Sequence, residues 1–134
     1  MFPAVLIPAL LAFSDAALLL LRLMVAAVFL TSGWSHVRDP VGRGKRIGMS
    51  PRFTVFLGSA EIAGSLGVAF GVLIQPAAIG LMVLMLGAIQ KKIFVWKTGF
   101  WGKHSDGWSY DLMLVLMNLT IAATAGGGYV VGPN

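Results

Sequence analysis

The chain contains no cysteine. Thiol nucleophiles, disulfides, iron–sulfur ligation and covalent c-type haem attachment are therefore closed to it. Charge is scarce too: 11% of the 134 residues are Asp, Glu, Lys or Arg, against roughly 25% in ordinary soluble domains. Only five residues are acidic and two are histidine, so carboxylate and imidazole chemistry have few places to be. No H-x-x-E or E-x-x-H spacing of a helical metal site occurs, and no metal is expected. Nor is there a long polar stretch, which leaves no room for a separate soluble catalytic domain.

What is present is apolar. Hydrophobic residues make up 57% of the chain, more than a soluble fold of this length can hide. Four runs long enough for membrane helices predict an all-α fold, a single transmembrane four-helix bundle over 1–134, with helices at about 15–35, 53–74, 77–97 and 110–125. The stretch Met1–Phe13 has no basic n-region and no A-x-A site, so a cleaved signal peptide is not expected. His36–Arg52 reads as a polar loop, with Asp39-Pro40 and three glycines. Gln75-Pro76 reads as a tight turn, Thr98–Ser109 as a Gly- and Trp-rich loop, and Gly126–Val131 as a tail.

The net charge of +5 is a topology signal rather than a nucleic-acid one. Arg38, Arg43, Lys45, Arg46 and Arg52 lie between runs one and two; Lys97 and Lys103 lie between runs three and four, with Lys91 and Lys92 able to snorkel to the same surface. The turn at Gln75 and the tail carry no Lys or Arg. The positive-inside rule then predicts a multi-pass cell-membrane protein with both basic loops cytoplasmic and both termini outside. Trp34, Trp96, Trp101 and Trp108 fall at the basic boundary, like an aromatic belt facing anionic lipid.

Helical spacing shows what should face inward. Asp15, Arg22, Phe29 and His36 recur every seven residues, with Ala26 and Gly33 on the same stripe. In run two, Ala60, Gly64, Gly67 and Gly71 form a small-residue stripe that admits a neighbouring helix, and Glu61 borders it. Asp111 and Asn118 share one face of run four. A charge at bilayer depth costs at least about 2.5–3.5 kcal/mol, so it persists mainly when paired or lining a polar cavity. Counting rises from the run ends places Arg22 and Glu61 only about 6–7 Å apart in depth, and the two are expected to pair. Such a pair either locks two helices in register or orients a ligand. His36, Asn118 and Asp111 complete a candidate ligand or proton site. His104 sits in a Gly-rich loop, a poor position for an axial ligand, and the seven methionines read as core filler.

These residues resemble a family. Leu20-Leu21-Arg22-Leu23 through Gly33-Trp34-Ser35-His36-Val37-Arg38-Asp39-Pro40 is similar to the first helix of DoxX proteins. Gly58-Ser59-Ala60-Glu61-Ile62-Ala63-Gly64-Ser65-Leu66 is similar to that family's G-x-x-E-x-x-G-G-L signature. Ala88, Trp108-Ser109-Tyr110-Asp111-Leu112 and Gly126–Gly128 extend the resemblance over residues 17–131. His36 stands where the family usually has Lys, and Gln90-Lys91-Lys92 where a histidine is common.

The resemblance implies a four-helix membrane protein associated with respiratory or redox complexes, with Arg22 and Glu61 as its intramembrane charged pair. Three roles follow as expectations. One is a membrane subunit of a quinone-linked oxidoreductase, not self-sufficient, with quinone rather than a covalent group as its cofactor. Another is a non-catalytic accessory or assembly subunit among other membrane proteins. The third is a small proton-coupled transporter.

Overall fold

The computed structural model describes residues 6–102 and 107–132. Among these residues the fold is all-helical. A 3-10 turn, Pro8–Phe13, runs directly into α1 (Ser14–Arg38); α2 (Pro40–Ile47), α3 (Pro51–Phe70), α4 (Ile74–Gln90), a π-helical turn (Lys91–Val95) and α5 (Trp108–Ala123) follow. Five α-helices are present where four were expected.

The extra helix lies in the predicted loop His36–Arg52. Asp39 precedes a proline, which disfavours helical backbone and ends α1. The same aspartate then caps α2: Oδ1 accepts from the Gly42 amide at 3.1 Å, and Pro40 occupies the first turn, where no amide is needed. Gly48, in the left-handed region at φ 72°, stops α2. Ser50 and Pro51 repeat the same start signal for α3. Of the glycines that suggested a loop, Gly42 and Gly44 are accommodated within a short basic amphipathic helix and Gly48 ends it.

The turn predicted at Gln75-Pro76 lies instead at Gly71–Leu73, where both named residues have positive φ. Gln75 and Pro76 sit in the first turn of α4, which tolerates proline. The third predicted helix, 77–97, accordingly starts earlier and changes from α to π at Lys91.

Helix α3 packs most extensively on α1 and α5 on α4, while α3 and α4 meet more sparingly; α1 touches α5 to close the group. The α1–α3 crossing is set by two glycines. A Cβ on Gly33 would lie 2.7 Å from the Gly58 carbonyl, and a Cβ on Gly58 would lie 2.7 Å from the Gly33 carbonyl, so only paired glycines permit this backbone approach. Of the expected small-residue stripe, Gly64 abuts Leu81 and Gly67 faces Ala77, whereas Gly71 is the C-cap of α3.

Val25, Phe29, Val68, Ile74, Ala78, Leu81, Leu114 and Ile121 form the apolar centre. Around it the usual order is inverted. Arg22, His36, Thr54, Glu61, Ser65, Asp111 and Asn118 are buried, while Leu20, Phe56, Phe70 and Val83 each expose more than half their surface. Apolar outside and polar inside suits hydrocarbon as solvent. Pro8–Arg38, Pro51–Phe70 and Ile74–Val95 are long and apolar enough to cross a bilayer. The apolar α5 is shorter, at 16 residues, about 24 Å against a core near 30 Å.

Candidate functional site

Arg22 and Glu61 do not pair. The Arg22 guanidinium turns toward the C-terminal end of α3. Its Nε donates to Val68 O at 2.8 Å and its Nη2 to Ala69 O at 3.1 Å. Its Nη1 donates to Gly126 O at 3.3 Å and also to Tyr129 O. The local backbone explains the choice. Gly71 and Val72 both direct their amides to Gly67 O, leaving the Val68 and Ala69 carbonyls orphaned at the negative end of the helix dipole. A guanidinium, with five donors in a fixed fork, serves several carbonyls at once.

The Gly126–Gly128 tail is part of this clasp. Gly126 and Gly127 have φ of 79° and 86°, which turns the chain back over Arg22. The Gly128 amide donates to Asp15 Oδ1 at 2.8 Å, and Val131 and Gly132 donate to Phe70 O and Gly71 O. Arg22 thus binds the end of α3 and the tail together. Its role here is structural, with no carboxylate needed.

The opposite, basic end holds a different arrangement. His36 Nδ1 lies 2.7 Å from Ser32 O and 3.3 Å from Glu61 Oε1. Both partners are acceptors, so Nδ1 carries a proton, and in the neutral ring Nε2 is the acceptor nitrogen. Glu61 Oε2 is buried with no hydrogen-bond partner among the described residues, and so is Nε of Arg43. Glu61 and Arg43, with Ser32, line two adjoining cavities of about 350 and 450 Å³. The smaller reaches Tyr110, Asp111 and Leu114 of α5; the larger reaches His36, Lys91, Lys92 and Trp96.

The remaining candidates separate. Asp111 Oδ2 is 2.8 Å from Lys92 Nζ, an ion pair that ties α5 to the π-helical turn. Lys91 Nζ donates to Ile47 O at 2.7 Å, tying the same turn to α2. Asn118 is buried; its Nδ2 donates to Leu114 O at 2.9 Å, while Oδ1 has no partner among the described residues. His104 lies outside the described residues. The structure therefore brings His36 to Glu61, sets Asp111 on the rim of the same cavity and leaves Arg22 at the other end. Arg43 was overlooked as a site residue because a loop assignment makes it a surface charge. The Asp39-Pro40 cap signal would have revealed α2.

One buried acceptor, one buried donor and a protonated imidazole nitrogen face a roomy, mostly apolar space. Such a set can hold a compact head carrying carbonyl or hydroxyl oxygens, with exchangeable protons beside it.

A family model described as DoxX matches residues 17–97. That is more than half of the chain, and the protein belongs to the DoxX family of membrane proteins. The match contains Arg22, His36, Arg43 and Glu61 and ends before α5, so Asp111 and Asn118 lie beyond it. No curated protein and no solved structure matches the chain.

Proposed function

We propose that this protein is a membrane subunit of a quinone-linked redox assembly and that the cavities beside Glu61 hold the quinone headgroup. The observation that carries this reading is the pair of unpartnered buried atoms, Glu61 Oε2 and Arg43 Nε, lining the same space. A buried polar atom left unpaired costs about 1–3 kcal/mol, more when charged, so a ligand that pairs both recovers that loss. A quinone carbonyl would accept from Arg43, and a quinol hydroxyl would donate to Glu61. His36, hydrogen-bonded to Glu61, would keep a proton within reach. The quinone supplies the redox chemistry; the chain supplies binding, orientation and exclusion of water. Electrons come from a separate catalytic partner.

The test is a titration of the purified protein in mild detergent with a short-chain benzoquinone, followed by quenching of Trp96, which lines the larger cavity. Saturable quenching, absent in Trp96→Phe and weakened at least about tenfold in Glu61→Gln, is expected; tenfold corresponds to about 1.4 kcal/mol.

A second reading, an accessory or assembly subunit, has its own observation. Gly80 and Gly87 are seven residues apart on α4, and a Cβ at either would meet nothing within 4 Å. An open strip of this kind suits the approach of a partner helix. Absence of quinone binding, with stable recovery in a larger membrane complex, selects this reading.

A further inference from the structure

The two cavities beside Glu61 differ in lining. Hydroxyls line the smaller one along α1, at Thr31, Ser32 and Ser35, and charged residues complete it from three other helices, Arg43 on α2, Glu61 on α3 and Asp111 on α5. The larger cavity is walled mainly by apolar residues, among them Phe53, Leu57, Val83 and Leu84. Both spaces share Ser32, Arg43, Glu61 and Met85, so Glu61 stands where they join.

The ends of the smaller cavity differ too. Inward it stops at Phe29 and Leu114. These belong to the apolar centre, where Val25, Val68, Leu81 and Ile121 are fully buried between Glu61 and the Arg22 clasp. Outward it reaches the basic end of the bundle. Ser35 lies three residues before Arg38, Arg43 belongs to the basic helix α2, and Tyr110, in the first turn of α5, is exposed. A cavity of about 350 Å³ has room for on the order of ten waters at about 30 Å³ each. The unpartnered Glu61 Oε2 and Arg43 Nε supply polar atoms to hold them. A charge at bilayer depth persists where it lines such a space.

We infer that the smaller cavity is a water-filled inlet that joins Glu61 to the basic side alone and carries the protons exchanged at the head site. The inference rests on the quinone reading above and adds the route. Reducing a quinone to its quinol takes two electrons, from the catalytic partner, and two protons, one at each ring oxygen. Both protons come from water in the inlet, and the reverse reaction returns them there. The head covers the part shared with the larger cavity, and water keeps the part beside Ser35. The apolar floor at Phe29 and Leu114 blocks exchange with the opposite side.

The experiment uses the cysteine-free chain in right-side-out and inverted membrane vesicles. Single variants Ser32→Cys and Ser35→Cys, near-isosteric changes that keep the fold, are treated with an anionic methanethiosulfonate too polar to enter lipid. Leu30→Cys, exposed on the apolar surface of α1, is the dry control, and Arg46→Cys marks the basic side. Modification is followed by mass spectrometry. Both serine variants should react at least about a hundredfold faster than Leu30→Cys, and only from the side where Arg46→Cys reacts. Duroquinone, whose four methylated ring positions resist thiol addition, should slow Ser32→Cys at least about tenfold and leave Ser35→Cys unchanged. Either serine variant reacting as slowly as Leu30→Cys would overturn the inlet, as would reaction from both sides. Protection of Ser35→Cys as well would also overturn it, because the head would then fill the smaller cavity. If duroquinone protects neither while both react from the basic side, the head site falls and the hydrated cavity stands without its proton role.

Discussion

Glu61 takes its partner from His36, 3.3 Å away on α1, and not from Arg22 on the same helix. Arg22 lies against Val68, seven residues beyond Glu61 on α3, about 10 Å along the helix axis. Two opposite charges on facing helices are thus satisfied separately, at opposite ends of one antiparallel contact.

This separation predicts how mutations combine. In double-mutant cycles of detergent unfolding, Arg22→Ala and Glu61→Gln should add to within about 0.5 kcal/mol, as for distant sites. His36→Ala and Glu61→Gln should show a coupling of about 0.5–3 kcal/mol, as for groups in contact. The reverse ranking would restore the Arg22–Glu61 pair.

The Arg22 clasp should be essential for stability. Arg22→Ala removes four hydrogen bonds to carbonyls and should lower unfolding stability by at least about 1–3 kcal/mol, the cost of leaving a buried acceptor unsatisfied. Protease sensitivity after Gly126 should rise in parallel. Arg22→Lys should rescue little, because an ammonium cannot span carbonyls on two segments with a planar fork. A variant as stable as the parent, with its tail still protected, would remove the clasp from the account.

Much of the fold was legible in the residues, and the misses have physical causes. Run length placed α1, α3, α4 and α5 to within a few residues, because a long apolar run reports what can enter a membrane, although the turn before α4 falls at Gly71–Leu73 and not at Gln75-Pro76. Depth arithmetic put Arg22 and Glu61 at reachable levels, but depth says nothing about where a long side chain turns. Orphaned carbonyls at a helix end compete well for a guanidinium, and only the Gly71 turn reveals them. The tail glycines looked like a mere ending because their partners, Arg22 for Gly126 and Asp15 for Gly128, are remote in sequence. Arg43 was hidden for a different reason: Asp39-Pro40 both closes one helix and caps the next.

The Gly33–Gly58 crossing separates necessary glycines from spare ones. Gly33→Ala or Gly58→Ala would press a methyl to 2.7 Å from a backbone carbonyl and should cost about 1–3 kcal/mol, as overpacking does. Gly80→Ala should cost nothing measurable. Thermal unfolding of the three variants in one detergent decides this; equal losses would mean that the helices are not held so closely.

Topology is testable because the chain has no native cysteine. Single cysteines at Gln75 and Gly132 should react with an impermeant maleimide from outside intact cells, and one at Arg46 only after permeabilisation. Labelling of Arg46→Cys alone from outside would invert the orientation.

The most direct test of the central claim is photo-crosslinking with a quinone carrying a photoreactive group on its head. Mapped by mass spectrometry, the adducts should fall on the chamber walls, at Ser32, Met85 or Tyr110, and disappear in Glu61→Gln. Adducts confined to the lipid-facing surface or to the Arg22 clasp, unchanged by Glu61→Gln, would contradict the account.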